Sequence, residues 1–544
     1  MDEGGPKEWI WIAGASLLAC LTFVGFGGMG LAMEDAHVHM ALAEHLFDDG
    51  WLSLVRGEPS AAGTSPGWVL LNALGVTLTG RPEGVSAILG VASFGLLLHG
   101  VHALLAPRCR RSAGAAVVLL AWTGPLLWHA FSGMETLLFL GACVQAIAAL
   151  RTGRIARSGV WTSVAILLRL EGLVFAVLIV IGVAFQGHAR RSDPLFKRGA
   201  AILIGSVASA AITLFCIHQA HVGALFPVTG EAKRFLWGVP VHGLAALPWL
   251  LERSVDLAWQ WGQFWYLGVS SHGLGGVWIV VVVLGALGIR SAWIGRDAGW
   301  ALLWIWAVAV HGIYALELPV LEVAGRYQAV HLLLLPIAVA GGWASLEGGG
   351  SLGRIAGRVG MAICLGHLAV GSISWAEGRA AQTAHLESVH AKAGEWLADH
   401  NPDCLPILLG EVGWIARKVW TTDCSPRLVD YYGLVDVETF EASRAGRGLS
   451  EATRDGPALF AFSLLGGSFP AVHLQLEWLD APPADWEVGD RVRVRERRTS
   501  REFLLTIGDV RSYRYPQHTS FRHPVGQSTA MNPVVVGALQ RVID

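Results

Sequence analysis

The sequence predicts a mostly α, polytopic membrane helical bundle with a soluble α/β domain at its C-terminal end, and three observations predict it. Of 544 residues, 53% are hydrophobic and 15% charged, with a mean hydropathy of +0.49, far more apolar than a soluble domain of that size requires. Nine apolar runs approach or exceed the length that spans a hydrocarbon core of about 30 Å. From residue 377 onward the pattern changes to polar turns, strand-like alternation and helical stretches.

Taken in order, the apolar runs lie at 9–31, 84–106, 114–131, 135–150, 199–219, 276–294, 298–316, 327–346 and 355–375. Shorter apolar pieces lie at 66–80 and 244–268. The region 158–186 is apolar but interrupted by Arg169, Glu171 and Gly172, which predicts two half-helices meeting within the membrane. The total is about 10–11 membrane helices. The first run begins at Trp9, is too long for a signal-peptide core and has no small-residue cleavage site after it, so it is expected to be retained. Several of the 24 Trp residues (Trp9, Trp11, Trp68, Trp128, Trp249, Trp343, Trp375) stand at the ends of apolar runs, where indole rings favour the headgroup region.

Orientation follows from Lys and Arg in the short loops: Arg108, Arg110 and Arg111; Arg151, Arg154 and Arg157; Arg190, Arg191, Lys197 and Arg198; Arg290 and Arg296; Arg354 and Arg358. These loops are expected to be cytoplasmic. Residues 32–66, 132–135, 220–243, 317–326 and everything after Trp375 then fall on the exoplasmic side, provided 66–80 does not cross fully. The expected division is a transmembrane domain over 1–376, with a first exoplasmic loop at 32–66, and an exoplasmic α/β domain over 377–544 with strands near 405–409, 492–495 and 503–507. Five of the seven Cys lie in or beside apolar segments, where a thiol behaves as a small hydrophobe. Cys404 and Cys424 are the pair that an exported domain could join. A formal net charge of -2 gives no sign of a nucleic-acid partner.

Chemistry is expected where charge meets the apolar runs. Glu34 and Asp35 follow directly on the first run, and either supply a general base for an acceptor hydroxyl or simply end an apolar helix. His37, His39 and His45 follow, without the spacing of a familiar metal site. Arg169 and Glu171 are intramembrane charges, which cost about 2.5–3.5 kcal/mol at mid-bilayer and therefore face a cavity or a partner; they are a mutual brace or part of a substrate pocket. Glu135 opens a span from the exoplasmic side. Lys233 and Arg326 are cations on exoplasmic loops otherwise poor in positive charge, and either suits a phosphate.

Seven short motifs run in order over about 400 residues: Glu34-Asp35-Ala36, Gly63-Thr64-Ser65-Pro66, Ser132-Gly133-Met134-Glu135-Thr136, Arg169-Leu170-Glu171-Gly172, Phe226-Pro227-Val228-Thr229 leading to Ala232-Lys233, Gly325-Arg326-Tyr327, and Leu428-Val429-Asp430 with Gly433-Leu434-Val435-Asp436. The set resembles the bacterial GT-C-fold glycosyltransferases that use polyprenyl-phosphate sugars, most nearly the mycobacterial-type terminal arabinofuranosyltransferases. The resemblance implies a GT-C bundle, a polyprenyl-phosphate sugar donor and a cell-envelope glycan acceptor outside the inner membrane of a bacterium. It implies Asp35 as the catalytic carboxylate, with Glu34 where relatives usually have a second Asp. It sets Lys233, Arg326 and Tyr327 at the donor phosphate, and His37, Thr64, Ser65, Glu135, Arg169 and Glu171 around the substrate cavity.

Three departures leave the sugar open: His37 stands where an aromatic is common, Leu170 where Pro is usual, and Val228 where Asn is usual. No cofactor is implied and no metal ligand set is supported. Gly348 to Gly350 and Gly466-Gly467 lack the strand-to-helix context of a phosphate-binding loop and read as turns. Two other functions suit broken helices and membrane-embedded charges: a transporter or flippase of a lipid-linked glycan, and a membrane-anchored glycan-binding scaffold.

Overall fold

The computed structural model describes residues 6–60, 62–189, 193–223, 275–295, 298–317 and 326–391, and beyond these only isolated positions and the short pieces 394–395, 407–409, 412–420, 426–430, 459–461, 476–478, 491–496 and 502–506. Lys233, most of 226–233, most of the apolar piece 244–268, and Cys404 and Cys424 lie outside the described residues.

Within them the chain is a helical bundle. α1 (Pro6–Gly27) leads directly into α2 (Glu34–Asp49), which carries the first acidic motif. A small antiparallel pair, β1 (Ser53–Val55) with β2 (Glu58–Pro59), precedes α3 (Pro66–Thr79), which Pro66 opens in its first turn. At 14 residues α3 is about 21 Å long, short of the roughly 30 Å of a hydrocarbon core. α4 (Pro82–Leu105) leads to α5 (Arg110–Ala121) and α6 (Gly124–Ala130). α7 (Thr136–Arg151), α8 (Ile155–Leu168), α9 (Glu171–Ala189) and α10 (Pro194–Val222) follow, then α11 (Gly275–Ile294), α12 (Ala298–Glu317), α13 (Ala329–Glu347) and α14 (Ser351–His385).

Two expected spans differ in detail. The run 114–131 is not one helix: α5 and α6 meet at a 69° bend. Pro125 lacks the N–H that would continue the ladder, and the Thr123 hydroxyl donates back to the Leu119 carbonyl at 3.0 Å. The last span does not stop at Trp375, because nothing in Ala-Glu-Gly-Arg-Ala-Ala breaks a helix, and α14 continues to His385. The interruption at Arg169-Leu170 is present as the gap between α8 and α9.

Among the described residues four helices (α4, α10, α13, α14) are long and apolar enough to cross a bilayer, five spans if the bent α5–α6 pair is one, and seven further apolar helices are shorter. Their outer faces carry Leu78, Phe185 and Trp293, each more than three-quarters exposed. Such a surface is tolerable when lipid is the solvent. The main core runs through α4, α5, α7, α12 and α13, with Leu97, Leu120, Val144, Trp306 and Leu333 fully or almost fully buried. The architecture is that of a multi-pass membrane bundle.

A second core forms beside the first loop. Val38, Ala41 and Leu42 of α2, Leu52 and Leu54 beside it, and Val69 and Ala73 of α3 pack with Ile407, Val412, Ile415, Val419 and Leu428 from the C-terminal region. There β3 (Ile407–Leu409), α15 (Gly413–Val419) and β4 (Leu428–Asp430) make a β-α-β run, with β3 central and parallel to both β4 and β5 (Leu459–Ala461). β6 (Leu476–Trp478), β7 (Arg491–Glu496) and β8 (Glu502–Thr506) form a separate antiparallel sheet. The strands expected near 405–409, 492–495 and 503–507 are thus present, each within a few residues of its expected bounds.

Candidate active site

The charged residues of four distant motifs converge. Arg169, in the gap between α8 and α9, donates from Nη1 to Glu135 Oε1 at 2.7 Å, and from Nη2 to Glu171 Oε1 at 2.7 Å and to the Tyr314 hydroxyl at 3.0 Å. Arg326, in a single 3-10 turn (Arg326–Gln328) ahead of α13, donates from Nη1 to Asp35 Oδ2, while its Nη2 lies 3.5 Å from Glu135 Oε1. Glu135 is fully buried, both arginines are under 10% exposed, and the Asp35 side chain is half-exposed at 52%. The two guanidiniums flank the Tyr327 ring, 5.5 Å (Arg326) and 5.8 Å (Arg169) from its centroid, and Arg169 also stands 5.7 Å from the Phe139 ring.

Each position follows from local structure. Arg169 caps α8: its N–H still donates to the Ala165 carbonyl at 3.0 Å, while its backbone turns extended (φ −155°, ψ 144°) before α9 begins. Glu135 sits at the entry to α7, held by the loop 132–135. Gly133 makes that loop possible: it has φ +83°, and a Cβ there would lie 2.8 Å from the Ala36 Cβ, so a side chain would push the loop off α2. The Gly133 carbonyl accepts from Trp68 Nε1 at 2.9 Å, tying α3 to the same point.

Of the expected site residues, the structure therefore brings together Asp35, Glu135, Arg169, Glu171, Arg326 and Tyr327. It takes Glu34 and His37 elsewhere. Glu34 Oε1 accepts from the Trp414 N–H at 3.0 Å, and His37 stacks on Trp414 with ring centroids 4.2 Å apart. Ser65 is buried before the first turn of α3, where its carbonyl accepts from the Trp68 and Val69 N–H groups, and the Thr64 N–H donates to the Ala62 carbonyl; both shape the entry to α3, one element away from the cluster.

Two neighbours were not anticipated as members of this cluster. Tyr314 closes it from α12, and His39 Nδ1 lies 3.7 Å from Glu135 Oε2. Among the described residues that Glu135 oxygen accepts no hydrogen bond. His39 was legible as the residue one helical turn after Asp35; Tyr314 had no signal beyond being a polar aromatic near the end of an apolar run. Beside the cluster a narrow recess, part of it open to the outside, is lined by Phe139, Arg169, Glu171, Trp306, Tyr314, Arg326 and Tyr327 among others. Asp35 reaches it through Arg326. Among the described residues no three His, Cys, Asp or Glu side chains gather as a metal-holding group.

The chemistry available is a carboxylate paired with a cation at the edge of an aromatic, charge-lined recess. Counting Asp35, Glu135 and Glu171 against Arg169 and Arg326, three negative charges meet two positive, leaving -1. Arg326 is shared between two carboxylates, so an incoming anion can compete with Asp35 for it.

No family model matches the chain, and no curated protein matches it. Among solved structures it is similar to ArnT from Cupriavidus metallidurans in the apo state (TM-score 0.49, 13% identity, 84% of this chain and 93% of that one). It is also similar to the same protein bound to undecaprenyl phosphate (TM-score 0.49, 14% identity, 85% and 94%), and to the Archaeoglobus fulgidus oligosaccharyltransferase in the apo form (TM-score 0.49, 12% identity, 77% and 64%). At such identities the likeness is one of backbone course, and residue roles do not transfer through it.

Proposed function

We propose that this chain is a membrane glycosyltransferase that moves a sugar from a polyprenyl-phosphate donor to a cell-envelope glycan acceptor on the exoplasmic side. The observation that carries the reading is the meeting of Asp35 and Arg326, 291 residues apart in sequence, at the edge of the Glu135–Arg169–Glu171 cluster. A transfer from a lipid phosphate needs a base beside the acceptor hydroxyl and a cation on the departing phosphate. Here the two stand in contact.

The donor phosphate takes Arg326 from Asp35, which leaves the Asp35 carboxylate facing the acceptor. The acceptor oxygen bonds to the anomeric carbon, its proton passes to Asp35, and the bond from that carbon to the phosphate oxygen breaks with the electron pair leaving on the phosphate. Arg326 meets that charge, and Lys233, on a loop of the same expected side, adds a second cation. Arg169 and Tyr327 hold Glu135 and the arginine fork in place. The GT-C relationship and an arabinofuranose donor are the finer reading that the ordered motifs support.

The test is release of polyprenyl phosphate from a labelled polyprenyl-phosphate sugar in the presence of an acceptor glycan. Asp35→Asn is expected to lower turnover by about 100-fold or more with donor binding little changed. Arg326→Ala and Lys233→Ala are expected to weaken donor binding roughly tenfold or more. Unaltered release by Asp35→Asn would remove the catalytic assignment, and donor transport without sugar transfer would favour a flippase.

A further inference from the structure

We infer that the C-terminal segment Gly413–Trp420 is a positioning element of the active site, and that Glu34 belongs to it as the residue through which that segment holds the Asp35 turn. The inference rests on the proposed transferase reading and assigns the segment a part in it.

Met33, the N-cap of α2, offers no side-chain hydrogen bond, and the Ala36 N–H donates to the Met33 carbonyl at 3.1 Å. Two neighbours add tertiary contacts to this turn. The loop at Gly133 abuts Ala36. On the other side α15 approaches backbone to backbone: a Cβ on Gly413 would lie 2.5 Å from Val38 N, 2.6 Å from Glu34 O and 2.8 Å from His37 C. Only a residue without a side chain fits there.

The contact is then locked by chemistry specific to this pair of elements. Glu34 Oε1 accepts the Trp414 N–H at 3.0 Å, the Trp414 ring stacks on His37, and Arg417 donates to both oxygens of Glu44 at 2.8 and 2.9 Å while reaching Glu83 at 2.7 Å. One turn further on, Trp420 stacks on His45 at 3.4 Å between centroids, and Arg56 Nη2 donates to the Trp420 carbonyl at 3.3 Å. Val38, Ala41, Ile415 and Val419 make the apolar filling between the two helices.

Neighbouring residues of a helix point about 100° apart. With Glu34 fixed on α15, its neighbour Asp35 is turned toward Arg326. The C-terminal segment thereby sets where the base stands without touching the substrate.

Full-length protein, assayed for polyprenyl phosphate release, separates positioning from chemistry. Gly413→Ala and Glu34→Ala are expected to lower kcat roughly tenfold, the equivalent of about 1.4 kcal/mol, with the donor KM within about threefold. Glu34→Gln, which keeps an oxygen for the Trp414 N–H, is expected to restore most of the lost turnover. Equal loss in Glu34→Gln and Glu34→Ala overturns the proposal by making the charge itself essential, and so does wild-type kcat in Glu34→Ala. Should Gly413→Ala fail to fold, the Glu34 pair decides alone. Asp35→Asn run alongside tells the two readings apart: its inactivity beside a fully active Glu34→Ala sinks the positioning role only, whereas its wild-type turnover sinks the catalytic assignment and the positioning role with it.

Discussion

His37 and His45 lie on α2 with 1% and 2% of their surface exposed, and burial pushes each imidazole down from its ordinary 6.5 to about 4. A His whose folded value is depressed binds its proton in the unfolded chain first. Above pH 6.5 neither state is protonated and the group is indifferent; between 6.5 and 4 the unfolded chain gains protons that the folded one refuses, and stability falls. The loss is of order 3 kcal/mol per histidine once pH 4 is passed. In detergent, Tm is therefore expected to be nearly flat from pH 8 to 7 and to drop from pH 6.5 toward 4.5, less steeply in His37→Gln. A wild-type Tm that stays flat across that lower window contradicts the burial argument. At this scale the sequence was partly legible: His37 and His45 were visible as an acidic-loop histidine set, but the rings that cover them, Trp414 and Trp420, come from more than 370 positions away.

α14 shows what one element can do that its sequence pattern conceals. Its continuation past Trp375 carries Arg379, fully buried, whose guanidinium donates to the carbonyls of Gly27, Gly28 and Gly30 at the end of α1 and, at 3.3 Å, of Phe131 after α6. The rings of Phe23 and Phe131 cover the charge from 5.7 and 5.5 Å. The Gly27 carbonyl is one that a helix C-terminus leaves without a partner, and all four carbonyls lie just ahead of the segments holding Asp35 and Glu135. Arg379→Leu leaves several buried acceptors unmet, each costing about 1–3 kcal/mol. It is expected to lower Tm by several degrees and to reduce turnover with it; unchanged melting would show that water replaces the fork. The α8–α9 break was readable, because Arg169 and Glu171 place opposite charges two residues apart in the middle of a run that is otherwise apolar. The α5–α6 bend was missed although Thr-Gly-Pro marks it, since the apolar count ran straight through.

For the whole molecule, the side that carries Asp35 is a joint construction. The first loop shares one apolar core with the described residues between Ile407 and Leu428. The Lys and Arg asymmetry predicts that region to lie outside. A single Cys at Glu395, an exposed position, in a background free of other cysteines is expected to react with an impermeant thiol reagent in intact cells. Reaction only after the membrane is opened would reverse the topology, and would place Asp35 and its partners on the cytoplasmic face.

The sequence by itself determined the solvent of this protein, most of its helices, the interruption at Arg169 and the identity of the charged residues that matter, because hydropathy, breakers and intramembrane charge act over a few neighbouring residues. Only the tertiary structure decided that Asp35 meets Arg326, that Glu34 turns to Trp414, and that Tyr314 and His39 join the cluster. Contacts between residues hundreds of positions apart are fixed by how bundle and loop pack in three dimensions, and no short-range pattern encodes them.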